Sequence, residues 1–170
     1  MKRFFTLLSA DGNRADQSCL QDAVIRTGTP FHIQPFFSPQ PVIKYLRGES
    51  PFDNRKIYPF PSVILCDDRL TRRQDDAEVT GDGWEVLGDI RDISSCASLP
   101  IIMLGESETH HSLSHCYEPG ACHFLHKPTS AAGWGGLVEG LYGCVACDPL
   151  VAAAQASNAT SAGFHNASLN

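Results

Sequence analysis

The chain has 170 residues, 42% of them apolar, which suffices for one domain around a single core and calls for no second. Its net charge is −6, and its longest basic pair, Arg72-Arg73, sits beside Asp75 and Asp76, which cancel its field within a few ångströms; no surface for nucleic-acid phosphates is expected. No stretch approaches the ~20 apolar residues that cross a bilayer, and the run after Lys2-Arg3 is broken by Ser9 and Asp11, too early for a signal peptide, so the reading is a soluble, cytoplasmic chain.

Residues 3–9 read as a first strand. Residues 13–27 carry Cys19, Leu20, Ala23, Val24 and Ile25 at helical spacing, until Thr27-Gly28-Thr29-Pro30 stops the helix. A second strand fits 31–36. A second helix fits 38–47, with Val42, Ile43, Tyr45 and Leu46 to one side and Gly48 as its C-terminal stop. Residues 49–61 contain three prolines and read as a loop. The third strand, 62–67, is a short run rich in β-branched residues, as expected of a strand buried on both faces of a parallel sheet. It ends abruptly in Asp67-Asp68.

Residues 69–81 are polar and acidic without a period. A helix fits 83–94 through Trp84, Val86, Leu87 and Ile90, a fourth strand 100–104, a helix 107–118, a fifth strand 122–125, and a last helix 130–145 despite Gly133, Gly135, Gly136 and Gly140. Strands alternating with helices give an α/β fold, a doubly wound five-stranded parallel sheet covered on both faces. From residue 148 the composition turns to Ala, Ser, Asn and Thr, which cannot bury enough surface to offset ordering; the expected division is a domain over 1–147 and a flexible tail over 148–170.

In open α/β sheets chemistry collects at the carboxyl ends of the strands, which makes Asp67 the residue to explain. Other signals are weaker. The seven cysteines (19, 66, 96, 116, 122, 144 and 147) show no regular spacing and read as reduced thiols. His111 and His115 are spaced for one helix face, with His110, Cys116, Cys122, His123 and His126 nearby, but positions on and after a strand diverge and no zinc site is expected. Cys144 and Cys147 close a helix, where the dipole raises a thiol pKa, and so read as chance rather than a redox pair. Two glycosylation tripeptides, at Asn158 and Asn166, lack a secretion signal.

Three segments carry a resemblance: Leu7-Leu8-Ser9-Ala10-Asp11, residues 61–70 around Asp67, and Glu118-Pro119-Gly120-Ala121-Cys122-His123-Phe124-Leu125-His126-Lys127-Pro128. From about residue 4 to 143 the chain resembles the receiver domain of bacterial response regulators. The segment Val42 to Phe52, followed by Pro59-Phe60-Pro61, is similar to the long connection in small stand-alone regulators paired with phytochrome-type kinases.

The resemblance implies a flavodoxin-like (βα)5 fold with strand order 2-1-3-4-5. It implies a phosphoacceptor at Asp67, a carboxylate nucleophile that takes a phosphoryl group from a kinase histidine. It implies Mg²⁺ held by Asp11, Asp67 and the backbone carbonyl of Arg69, and a phosphate contact from Lys127. The partner would be a sensor histidine kinase or a phosphotransfer protein. The output would be a changed surface on the last two helices and the fifth strand, where a homodimer could form. Such a domain is no enzyme beyond its own phosphotransfer and dephosphorylation.

The chain departs from the family pattern in three places, with Asp68 weighed as compensation for the first. Ala10 stands where a second acid is usual, which predicts weaker Mg²⁺ binding. Asp68 follows Asp67 on a strand and is expected to point the other way. Gly105 replaces the hydroxyl residue that switches with Phe124, and Ser107 follows in the next loop. Asp82-Gly83 comes fifteen residues after Asp67 instead of about seven, leaving roughly eight extra positions in 71–81. A pseudo-receiver, binding partners without phosphorylation, is the alternative. A flavodoxin-like cofactor binder is a third, opposed by Asp11-Gly12-Asn13-Arg14 where a phosphate loop would stand.

Overall fold

A computed structural model describes residues 4–70, 72–74, 77–79, 83–106 and 122–147. Its elements are β1 (Phe5–Ala10), α1 (Arg14–Thr27), β2 (Phe31–Phe36), α2 (Pro39–Arg47), β3 (Val63–Asp67), β4 (Arg72–Gln74), β5 (Ala77–Val79), α3 (Gly83–Arg91), a 3-10 turn (Ser94–Cys96), β6 (Ile101–Gly105), β7 (Cys122–His126) and α4 (Ala131–Cys147). The expected fourth helix over 107–118 and the tail from 148 lie outside the described residues.

Strands β2-β1-β3-β6-β7 form one sheet in that order, every neighbouring pair parallel. This is the doubly wound order read from the sequence, with β6 and β7 as its fourth and fifth strands. The side-chain period of two sorts the strands into two cores. Leu7, Val63, Leu65, Ile102 and Leu104 face Leu20, Ala23 and Val24 of α1 and Trp134, Val138 and Leu141 of α4. Leu8, Ile64, Cys66, Ile101 and Met103 face Val42, Tyr45 and Leu46 of α2 and Val86, Leu87 and Ile90 of α3. Burial on both faces holds the central strands in register, because a slip of one residue exchanges the two sets.

The connection over 48–62 is packed rather than loose. Phe36, Tyr45, Phe52 and Tyr58 meet edge to face, and the buried Tyr45 hydroxyl donates to the carbonyl of Pro59. Burial pushes the Tyr45 hydroxyl up to about 12, so it remains a donor. Gly48 ends α2 at φ 68°, a left-handed conformation that a side chain would strain.

Two boundaries differ from expectation. The helix begun at Gly83 ends at Arg91 and not at 94: the Arg91 guanidinium donates to the carbonyls of Cys96 and Leu99, drawing the Ser-rich segment into a 3-10 turn. The stretch after Asp67, read as aperiodic, contains an antiparallel hairpin of β4 and β5. Its neck is closed by a bond from the Gly83 amide to the Asp68 carbonyl (2.9 Å), and a Cβ at Gly83 would collide with the backbone oxygen of Asp67. The extra residues are thus an excursion that returns to its starting point. Among the described residues no helix is long and apolar enough to cross a membrane.

Candidate functional site

The sheet's hydrogen-bond ladder continues one residue past three strands and carries the site residues with it. Asp11 donates its amide to Phe36, Asp68 to Leu104 and Lys127 to Gly105, each at 2.8–2.9 Å. Asp11, Asp67 and Lys127 are therefore fixed at the carboxyl edge of the sheet. The Lys127 ammonium lies 2.7 Å from Asp67 Oδ2, 2.9 Å from Asp11 Oδ2 and 2.9 Å from Asp16 Oδ2. Asp67 Oδ1 accepts from the Arg69 amide at 2.9 Å, so both of its oxygens are engaged. Beneath the charges the walls are Leu20, Leu65, Leu104 and Trp134, which keep the local dielectric low.

Two of these residues were missed in the sequence. Asp16 lies in the first turn of α1, where an acid complements the helix dipole and attracts no notice. Gln17 is buried and donates to the carbonyls of Ser9 (3.1 Å) and Phe36 (3.2 Å), tying α1 to the ends of β1 and β2. Asn13 supplies the N-cap of α1, accepting from Ala15 and Asp16. The helix thus has its cap without Asp11, whose Oδ1 accepts from the Asn13 amide at 2.7 Å.

Burial raises the Asp11 carboxyl to about 6, although Asn13 and Lys127 oppose it. Asp67 feels a similar penalty, but the Lys127 and Arg69 donors outweigh it and hold this carboxyl below its ordinary value. The Lys127 ammonium is held above its ordinary range: burial disfavours the charge, and the bonds to Asp67, Asp16 and Asp11 more than offset that. Asp67 is therefore ionised across the neutral range.

The donors that the site brings together are carboxylate oxygens, the chemistry that suits a hard divalent cation. Among the described residues no three His, Cys, Asp or Glu side chains converge to hold a metal by themselves. Two carboxylates fit a cation that keeps several waters, as Mg²⁺ does. Ala10, buried next to Asp11, has no polar side-chain atom and adds no donor.

No protein-family model and no curated protein sequence matches the chain. Solved structures do. The response regulator RPA3017, in red-light signalling of R. palustris, superposes with a TM-score of 0.70 over 82% of this chain and 92% of its own, at 22% identity. The phosphorylated cyanobacterial phytochrome response regulator RcpA gives 0.67 over 82% and 91%, at 22% identity, and the Mn²⁺-bound response regulator Rcp1 gives 0.64 over 81% and 91%, at 20%. The chain has the receiver-domain fold of response regulators.

On this receiver frame the flank of Asp67 toward β6 is filled by Asp68. It lies in a turn just past β3, its amide still bonded to Leu104, and its side chain keeps the alternation of the strand, resting on Gly105 and Phe124 on the face of Cys66 and Met103. Its carboxyl occupies the space beside Gly105, where a Cβ would collide with Asp68 Oδ2 and come within 2.6 Å of Phe124 Cζ. Burial, and then contact with Asp67, raise Asp68 to about 6. Phe124 stacks on Trp84 at 6.2 Å between ring centroids. Ser107 lies outside the described residues, as do His110, His111, His115 and Cys116; His123 and His126 are exposed.

Proposed function

We propose that the protein is a response regulator of the single-domain kind, which accepts a phosphoryl group on Asp67 from a partner histidine kinase or phosphotransfer protein and signals through protein contacts. The observation that carries this reading is the convergence of Asp11, Asp67 and Lys127 at the carboxyl edge of the sheet, within 2.9 Å of one ammonium. The likeness to a phosphorylated phytochrome response regulator and to a Mn²⁺-bound response regulator supports it.

In this reading an Asp67 oxygen attacks phosphorus, the bond from phosphorus to the donor histidine nitrogen breaks, and its electron pair stays on the imidazole. Lys127 releases Asp67 Oδ2 and follows the charge onto a phosphoryl oxygen as a mobile point cation. The Arg69 amide keeps the acceptor carboxylate in orientation. Asp11, Asp67 and the carbonyl of Arg69 would hold Mg²⁺, which supplies charge neutralisation on the equatorial oxygens; Ala10 makes that hold weak. Phe124, beside Gly105, is the switch aromatic, and the surface of β7 and the last helix is the output face, open to partner binding or dimerisation. The protein acts in the cytoplasm and is no enzyme beyond its own phosphoryl chemistry.

The test is incubation with acetyl phosphate and Mg²⁺ followed by intact mass. A phosphoryl adduct absent from Asp67→Asn is the expected result. A second reading, the pseudo-receiver, is favoured by Ala10 and Gly105 and by the carboxyl of Asp68 against the acceptor; it predicts no adduct in any variant at saturating donor.

A further inference from the structure

Asp67 has two flanks, and only one is filled by a group that helps it. Toward β6, where the receiver pattern sets a hydroxyl that donates to the phosphoryl group, Gly105 leaves a slot. The slot is not open. Asp68 Oδ2 and the Phe124 ring fill it so closely that a single added carbon would collide. Among the described residues Asp68 Oδ1 is buried without a hydrogen bond, in a long ion pair with Arg69 Nε at 3.8 Å. An ionised carboxylate only accepts hydrogen bonds, so a phosphoryl oxygen entering this slot meets another acceptor in place of a donor.

We propose that Asp68 is an internal obstruction of the phosphoacceptor: its carboxylate sits where the phosphoryl oxygens must go, and Asp67 accepts a phosphoryl group only as Asp68 swings out toward Arg69. The inference rests on reading Asp67 as the acceptor. The outward movement is feasible on three counts. Asp68 lies in a turn and not on a strand, and its side chain keeps 15% of its surface exposed. Arg69 waits outside with 54% of its side chain exposed. Asp68 Oδ1, without a hydrogen bond where it lies, can shorten its 3.8 Å ion pair with Arg69 as it leaves, whereas Asp16, the other acid beyond the expected set, is already satisfied by Lys127 at 2.9 Å. Gly105 is therefore the complement of Asp68: the absent side chain makes room for the blocking one.

Removing the obstruction speeds the reaction. In the test, acetyl phosphate transfers its phosphoryl group as Asp67 forms the new oxygen–phosphorus bond and acetate departs with the electron pair of the broken one. The adduct is followed by intact mass over time, with Mg²⁺, in the full chain, in Asp68→Asn, which keeps the shape and removes the charge, and in Asp68→Ala, which empties the slot. The expected result is an initial rate roughly tenfold or more higher in both variants, because a like charge in contact with the entering phosphate is gone from a poorly screened site. Adding Gly105→Ser to Asp68→Ala, which restores a hydroxyl to the vacated slot, is expected to lengthen the adduct lifetime. Far-UV circular dichroism checks that each variant is folded. Rates in Asp68→Asn and Asp68→Ala equal to or below that of the parent overturn the obstruction and leave the acceptor reading standing. No adduct in the parent or in any variant, under saturating donor, overturns both.

Discussion

The two flanks of Asp67 are built on opposite principles. Toward β1, three carboxylates share one ammonium at 2.7–2.9 Å, and the amides of Asn13 and Arg69 donate to Asp11 and Asp67. Toward β6, a carboxylate lies against a glycine and an aromatic ring, one oxygen without a hydrogen bond among the described residues and only a long ion pair to Arg69 at 3.8 Å. Burial disfavours ionisation in both places. Only where donors outweigh it, at Asp67, does the carboxyl fall below its ordinary value; Asp11 and Asp68 rise to about 6. Burying an acid is thus tolerable in proportion to its donors, and the β6 flank is where the site stores repulsion.

Breaking the partnered flank has the largest expected effect. Lys127→Ala leaves Asp11, Asp16 and Asp67 without their shared cation and is expected to cost roughly 3–5 kcal/mol, read as a shift of the urea midpoint.

The two acids raised by burial set a pH dependence of the next size. A carboxyl raised from 3.8 to about 6 binds protons more tightly in the folded state, so stability falls as pH rises through that window. The drop is about 3 kcal/mol for one such group, by the usual 1.4 kcal/mol per unit. Below pH 4 the sign reverses as Asp67, held low in the folded state, is protonated. Urea unfolding from pH 4 to 7 checks this. Asp68→Asn should flatten the curve, and an unchanged slope would place the repulsion elsewhere.

The two close-packed glycines separate backbone from side-chain obstruction. Gly83→Ala meets the backbone oxygen of Asp67, which cannot rotate away, whereas Gly105→Ser meets the ends of Asp68 and Phe124, which can. Both overpack, at roughly 1–3 kcal/mol, with Gly83→Ala expected to be the more costly by thermal melt. The smallest effect belongs to the rim. Arg69→Ala removes an exposed pair with Glu106 (2.6 Å) and should shift stability by about 1 kcal/mol or less.

Much of this was legible in the chain. The runs at 31–36 and 62–67, Gly48 as a helix stop and the acids ending two strands follow from local chemistry that the fold leaves intact. The hairpin of β4 and β5 escaped because each of its strands has three residues, too few to show a period. Asp16 and Gln17 escaped because a polar residue on the first turn of a helix looks like any solvated one. The slot that Asp68 fills escaped because only the pairing of β3 with β6 brings Gly105 beside it.

The sequence by itself determined the order of elements, the two apolar faces of the sheet and the acids at its carboxyl edge, since periodicity and strand termini are properties of neighbouring residues. The tertiary structure alone decided which acids are partnered. Residues 11, 16 and 127 meet only through β1, α1 and β7, and Asp68 enters the slot at Gly105 only because β6 lies beside β3; the energy of a buried charge depends on what stands within a few ångströms of it, which distance along the chain does not record.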